Sequence, residues 1–409
     1  MEGASKSAAR AQVDGPHLAL QPGREKSLLH KHPWIFSGAV ERVVGYPASG
    51  ETVAVLAGDG TWLARAAYSA VSQIRARVWS FDIDDAIDRG FFERTVAKAV
   101  AARADLVDDT HSSCRLVHGE SDGLAGVIAD RYGDVVVLQL LSAGAEHWRS
   151  EISSSLVAAT GARCVFERSD AEVRALEGLA PRVGLIAGAL PHVVTMVEDG
   201  LVYRVDIEHG QKTGFYLDQR ENRSIVRSLS SGRRVLNAFC YSGGFTLAAL
   251  AGGAQDVTSI DSSSAALALA RENLALNRAL RVGAAEWIEA DVFADLRRLR
   301  NEGATFDLIV LDPPKFAPTA AHADRAAGAY KDINLLALKL LAPGGLLATF
   351  SCSGGISAEL FQKILAGAAL DANADAQILK RLGASSDHPV ALNFPEGNYL
   401  KGLLIRKAR

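Results

Sequence analysis

Between Val235 and Asp261 the apolar positions fall in two short runs, Val235-Leu236-Ala238 and Val257 to Ile260, separated by small residues and a helix-like stretch, FTLAALAGG. That order predicts strand, glycine loop, helix, strand, the opening half of a nucleotide-binding α/β unit. The pattern then repeats. SSSAALALARENLALNRAL carries an apolar stripe at helical spacing with serines to cap its start, and AEWIEADVFADL supplies a third strand and a helix ending near Arg300. A fourth strand runs from Phe306 to Leu311, LLALKLLAPGG is a helix with a Pro/Gly stop, and LLATFSCSGG is a fifth strand. ISAELFQKILAGAAL is a further helix, and QILKRLGASS and GNYLKGLLIRK read as two closing strands. Seven strands alternating with helices and ending in a hairpin predict an open, doubly wound, Rossmann-like α/β sheet.

Upstream the periodicity differs. From Leu18 to Phe81 short apolar runs recur between Gly, Pro and Asp turns, the pattern of a small β-barrel, with Trp62 and Trp79 expected in its core. At Asp82 the pattern becomes helical, with Phe91, Val96, Ala99 and Val100 on one face. Asp122-Gly123 and Gly133-Asp134 then mark tight turns between strands of an antiparallel α+β module. The expected layout is a disordered lead-in over 1–16, a barrel over 17–81, an α+β module over 82–199 and the sheet domain over 200–409.

Composition narrows the function. At 409 residues the chain exceeds one ordinary core, and 48% hydrophobic residues leave burial unconstrained. A net charge of -3 excludes a protein that coats nucleic acid through a large positive field, so any RNA contact is local. The four cysteines (Cys114, Cys164, Cys240, Cys352) are scattered, which fits a reducing cytoplasm and gives no zinc motif. His118, Glu120, Asp122 and Asp130 crowd one loop region, but their spacing matches no ligand motif and no metal is expected. No apolar run approaches a membrane span.

The candidate chemistry lies at the carboxyl ends of the sheet strands. Gly243-Gly244 lets backbone approach a ligand, and Asp261, eighteen residues past Gly243, stands where such folds place the acid that binds a ribose diol. Both G-x-G-x-x-G and the P-loop Lys-Ser/Thr pair are missing, which favours a cofactor without phosphates, S-adenosylmethionine. Asn237, Phe239, Ser242 and Gly243 are the cofactor positions of this loop. Asp291 is read either as an adenine contact or as a helix N-cap. YRVDIEHGQKTGFYLDQRENRSIV is dense for a linker; it reads as a flap in which Phe215 and Tyr216 flank the adenine and Asp218 or Arg220 fixes a polar end. The alternative is Asp218 capping a helix that starts at Gln219.

Asp312-Pro313-Pro314 is a rigid strand exit where a base edge can dock beside the cofactor, and Cys352 ends the next strand ahead of Gly354-Gly355 and a helix N-terminus. A thiolate adding to carbon 6 of a pyrimidine makes carbon 5 nucleophilic enough to take a methyl group, with Asp312 assisting at ring nitrogen 3. The competing reading of Cys352 is a small buried hydrophobe, and Cys240 is expected to be a packing residue. In the barrel, bases outnumber acids, and Lys31, His32, Trp34, Arg75 and Arg77 are the expected RNA contacts; Trp34 is also readable as core.

HPWIFSGAV, SQIRARVW, RLVHGESDGLAGVIADRYGD, TGFYLDQRENR, NAFCYSGGFT, DPPKF and SCS together resemble the large-subunit ribosomal RNA cytosine-C5 methyltransferases of the RlmI type, over nearly the whole chain after residue 17. The resemblance implies an N-terminal PUA domain, a central α/β module, a C-terminal class I methyltransferase domain, Cys352 as the cysteine that bonds cytosine, ribosomal RNA as partner and a homodimer. In the wider RNA cytosine-C5 group a second cysteine follows Asp-Pro-Pro; here Lys315 stands in its place, so the group that removes the carbon 5 proton is open, and Lys315 is also readable as a phosphate contact. Two rivals are N-methylation of an RNA purine by the same fold and a non-catalytic RNA-binding assembly factor. Intact Asp261, Asp312 and Cys352 weigh against the second.

Overall fold

The computed structural model describes residues 15–316 and 323–408, so the expected lead-in lies, up to residue 14, outside the described residues. The chain folds into two units. The first comprises residues up to Met196 together with Val205–Phe215 and Asp387–Gly397; the second comprises Val197–Arg204, Tyr216–Ser386 and Asn398–Arg409.

In the first unit, strands His17–Leu20, Trp34–Phe36, Val40–Val44, Thr52–Leu56, Trp62–Tyr68 and Ile74–Ser80 make one six-stranded sheet. Neighbours are antiparallel except that His17–Leu20 runs parallel to Thr52–Leu56. One face gathers Leu18, Leu20, Ile35, Val53, Val55, Ala64, Ala66 and Val78 into a core. Two of the tryptophans differ from expectation. Trp62 is only partly buried, and Trp79 turns away from that core to pack edge-on against Phe92, ring centroids 5.3 Å apart. Side-chain alternation along the strand sends neighbouring residues to opposite faces, and here the second face is covered too.

The helix Arg89–Ala101 starts under Asp88, whose carboxylate accepts from Phe91 N, and it buries Phe91, Phe92, Val96 and Ala99. It belongs to the core of a second, five-stranded sheet, ordered Arg182–Gly188, Cys164–Ser169, Val135–Leu140, Val127–Tyr132, Ser113–His118. The two stretches from later in the chain join this unit through polar and aromatic contacts. Thr213 donates to Asp130 at 2.6 Å, the Asp387 carboxylate accepts from Arg115 N at 2.8 Å, and Phe394 packs on Trp34 at 4.8 Å. A division drawn at residue 200 along the sequence cannot see them, because the contacts are with residues distant in the chain.

The second unit is a seven-stranded sheet: β1 (Arg234–Ala238), β2 (Asp256–Asp261), β3 (Ala285–Glu289), β4 (Phe306–Leu311), β5 (Leu341–Ser351), β6 (Ala376–Leu382) and β7 (Lys401–Lys407). The order is β3-β2-β1-β4-β5-β7-β6, parallel except for β7, which is antiparallel to both neighbours. Strand order reverses between β1 and β4, the switch point at which such sheets bind ligands. The core of Leu236, Ile260, Ile309, Leu311, Leu347, Tyr330, Ile333 and Phe361 explains why β1 and β4 read as continuous apolar runs.

Two details depart from the sequence expectation. The Pro343-Gly344 stop lies inside β5, where Leu341 pairs Phe306 and the register shifts before Leu346 pairs Leu308, with Gly344 at φ 78°. The closing strands are not joined by a tight turn, since part of the connection, Asp387–Gly397, belongs to the first unit.

Candidate active site

The loop after β1 is built from unusual backbone. Phe239 (φ 62°), Tyr241 (φ 47°) and Gly243 (φ 84°) all take left-handed conformations before the helix Gly244–Ala251 begins. For the two non-glycine residues this costs on the order of 1–2 kcal/mol each. Asp261 at the end of β2 holds the loop: its carboxylate accepts from Tyr241 N at 2.8 Å and from Ser263 N at 2.9 Å, while Cys240 N donates to Ile260 O at 3.0 Å. Gly243 is needed sterically as well, because a Cβ there would lie 3.1 Å from both Ala270 and Trp287.

Beneath the loop, Asn237 donates to Thr246 at 2.8 Å, and Thr246 shares a hydrogen bond with Ser259. Asn273 donates to the Ser242 carbonyl at 3.0 Å. Asn237 Oδ1 and Ser242 Oγ are buried without a hydrogen-bond partner among the described residues. Buried polar atoms are usually satisfied, so orphans at a strand end beside a half-exposed carboxylate fit a polar ligand such as an adenosyl group. Asp261, Asn237, Ser242, Gly243 and Phe239 thus come together at the ends of β1 and β2.

Asp291 takes the N-cap role at the helix Val292–Asn301, with Oδ1 accepting from Ala294 N at 2.8 Å, and its second carboxylate oxygen stays exposed, so the adenine contact remains a proposal. Phe215 falls in the stretch that belongs to the first unit, where its backbone bonds the Tyr132 hydroxyl. Asp218 is buried in the turn Leu217–Gln219; its carboxylate accepts from Tyr399 at 2.6 Å and its carbonyl from Ser385, so it caps no helix. Arg220 opens the helix Arg220–Leu229 and is buried.

A second group collects at the ends of β4 and β5. Leu311 pairs Thr349 in register, so Asp312 and Cys352 leave adjacent parallel strands. Cys352 is half-buried, whereas Cys114, Cys164 and Cys240 are buried, and burial pushes the Cys164 and Cys240 thiols up. Ser353 ties the two exits together: its Oγ accepts from Phe316 N at 3.1 Å and shares a hydrogen bond with the Tyr330 hydroxyl at 2.9 Å. Tyr216 lies at the same place, edge-on to Tyr241 at 5.4 Å. Its phenol is held above the usual tyrosine range by burial and then by the charges of Asp312, Tyr241, Cys352 and Asp218. Lys315 is exposed at the Asp-Pro-Pro exit. Lys401 on β7 donates to the Ser353 carbonyl at 2.8 Å.

The sequence passed over Lys401, because a lysine in an edge-like strand pattern reads as solvated. Tyr241 and Ser353 sit inside motifs read for their other members, and Tyr330 lies in a helix stretch ahead of Leu335 that carried no motif.

In the first unit the expected RNA contacts separate. Lys31 is exposed and lies 4.7 Å over the Phe81 ring; His32 pairs with Glu396 at 3.2 Å. Trp34 donates to Glu120 at 2.7 Å and packs on Phe394 while staying partly exposed. Arg77 is buried, bonded to Glu177 at 2.6 Å, which withdraws it from any RNA-facing surface. Arg75 is half-buried and bonds the carbonyls of Ser69 and Ala70. Asp122 and Asp130, which crowd the turn region, are each held by an arginine, Arg103 and Arg115. No group that could hold a metal ion, and no helix long and apolar enough to cross a membrane, occurs among the described residues.

Residues 182–403 match the S-adenosylmethionine-dependent methyltransferase family model, and residues 18–81 match a PUA-like domain. Ribosomal RNA large subunit methyltransferase I of Shewanella amazonensis is 51% identical over 391 residues, 95% of this chain and 98% of that protein. The Klebsiella pneumoniae protein of the same name is 50% identical over 393 residues, 96% of this chain and 98% of its own. A solved SAM-dependent methyltransferase from Streptococcus mutans superposes with a TM-score of 0.81 at 22% identity, covering 95% of this chain and 99% of that one. A second solved methyltransferase, complexed with SAH, gives 0.83 at 22% identity over 95% and 99%. These two structures show the fold alone. With its sheet order, its loop after β1 and half identity along nearly its whole length, the chain belongs to the S-adenosylmethionine-dependent methyltransferases and, among them, to the ribosomal RNA large subunit methyltransferase I family.

Proposed function

We propose that the protein methylates carbon 5 of a cytosine in large-subunit ribosomal RNA, with Cys352 as the nucleophile. The observation that carries this reading is the adjacency of a half-buried thiol and a carboxyl group at the ends of β4 and β5, beside the switch point. S-adenosylmethionine supplies an electrophilic methyl group when bound. Asn237, Ser242, Gly243 and Asp261 would hold it, Asp261 accepting from the ribose hydroxyls.

The Cys352 thiolate adds to carbon 6, forming the S–C6 bond and pushing the ring electrons toward carbon 5. Asp312 donates a proton or hydrogen bond at ring nitrogen 3 as charge develops there. Carbon 5 takes the methyl group; its proton then passes to a base, and the returning electrons expel the thiolate. Lys315, where the wider group has a cysteine, is assigned to the RNA backbone. Contact with RNA by the PUA-like domain is assigned to Lys31 and the exposed Arg24 and Lys26 beside it.

The test is nucleoside mass spectrometry of ribosomal RNA incubated with the protein and S-adenosylmethionine. Formation of 5-methylcytidine by the wild type, and its loss in Cys352→Ala with cofactor binding intact, is the expected result. A methylated purine would move the reading to N-methylation, and no methylation at all would leave an assembly factor. A homodimer is proposed from the family resemblance and is tested by sedimentation.

A further inference from the structure

We infer that Lys401 is a positioning residue for Cys352: its ammonium group, anchored on the carbonyl of the residue after the cysteine, favours the thiolate. The inference rests on the proposal that Cys352 is the nucleophile.

Two contacts fix the placement. In the antiparallel pairing of β5 with β7, Lys401 stands opposite Ser351, the residue before Cys352. From there its side chain folds over so that Nζ donates to the carbonyl of Ser353, the residue after Cys352, at 2.8 Å. The lysine therefore brackets the cysteine from both sides along the backbone. The group is half-buried, and no carboxylate pairs with it among the described residues. A half-buried ammonium without a carboxylate beside it carries part of the desolvation cost, and a thiolate beside it offsets that part.

The electrostatics agree. Burial pulls the Lys401 ammonium below its ordinary range, the charge of Cys352 acts in the opposite direction, and Lys315 acts with burial. The other groups facing the thiol are Asp312 from the β4 exit, Tyr216 ahead of the helix Arg220–Leu229, and Tyr330 from the helix Ala323–Leu340. Both phenols are raised, chiefly by burial, and stay neutral. Asp312, when ionised, opposes a second negative charge. Lys401 is a cation whose charge is coupled to the thiol, whereas the exposed Lys315 is screened by solvent.

The proton balance is simple. Cys352 Sγ–H releases its proton to water, and the thiolate pairs with the Lys401 ammonium without any further reactant. The same pairing makes the thiolate a better leaving group when the S–C6 bond breaks.

The experiment measures carboxamidomethylation of Cys352 by iodoacetamide as a function of pH, read by mass spectrometry of its peptide in the full-length protein. The other three cysteines are buried, so the reactive thiol is distinguishable. Lys401→Gln keeps a donor for the Ser353 carbonyl and removes the charge; Lys401→Met is a second neutral variant; Lys401→Arg keeps the charge. Both neutral variants are expected to raise the midpoint by on the order of one pH unit, and Lys401→Arg to restore it. An unchanged midpoint in the neutral variants overturns the inference, even where methyl transfer is lost. A Cys352→Ala enzyme that still methylates would instead remove the nucleophile reading and leave the thiolate pairing standing.

Discussion

Replacing Asp261 with alanine separates the two tasks its carboxylate performs. In the structure it accepts two backbone hydrogen bonds, from Tyr241 at 2.8 Å and Ser263 at 2.9 Å, and so holds a loop with two non-glycine residues at positive φ. A hydrogen bond to a charged acceptor contributes roughly 1.5–3 kcal/mol; the half-exposed setting places these two at the lower end, and freed loop strain returns part of it. Net destabilisation of about 2 kcal/mol is expected, lowering Tm by roughly 4–8 °C. Bound to S-adenosylmethionine, the same carboxylate would also lose its bonds to the ribose, a further ~1.5–3 kcal/mol, or on the order of ten- to one-hundredfold in Kd. Differential scanning calorimetry measures the first effect and isothermal titration calorimetry the second, at a temperature where the variant is folded. Asp261→Asn, which keeps neutral acceptors, is expected to fall between. A lowered Tm with unaltered cofactor affinity would refute the ligand role and leave Asp261 a staple of the loop.

Two more expectations concern the first unit. Arg77→Ala leaves the buried Glu177 unpaired and is expected to destabilise by about 3 kcal/mol while RNA affinity per folded molecule is unchanged; stable protein with weakened RNA binding in a filter assay would return Arg77 to the RNA surface. His118 is pushed down to about 2 by burial and then by Arg115, against an unfolded value of about 6.5. Below about pH 6.5 the unfolded chain binds a proton that the folded one refuses, so stability falls as pH drops, by up to about 1.4 kcal/mol per unit. His118→Gln is expected to flatten that slope in urea unfolding measured across pH 4–7; parallel profiles would show that His118 does not set it.

What was legible in the sequence was whatever a local pattern dictates. The run Val235 to Ala238, the turn at Gly243 and the acid at Asp261 are joined by short-range geometry, and they meet in space as expected. Asp312 and Cys352 also follow from strand order alone. Asp291 was ambiguous because the same spacing serves an N-cap; one of its oxygens caps the helix, which leaves the other for a ligand. Arg77 misled because a basic residue carries no mark of its partner: Glu177 lies one hundred residues further on, as Glu120 lies eighty-six beyond the partly exposed Trp34. Phe215 and Asp387–Gly397 were assigned by chain continuity, which long-range hydrogen bonds override. Lys401 was illegible for the same reason, since its role depends on the pairing of β7 with β5.

The most direct test of the account is to trap the adduct. Ribosomal RNA containing 5-fluorocytidine, incubated with the protein and S-adenosylmethionine, cannot lose its carbon 5 substituent as a proton, so the S–C6 bond persists. Peptide mass spectrometry is predicted to find the nucleotide on the peptide carrying Cys352, and none in Cys352→Ala. Methyl transfer to normal RNA with no covalent complex on the fluorinated one, or a complex at another residue, would contradict it.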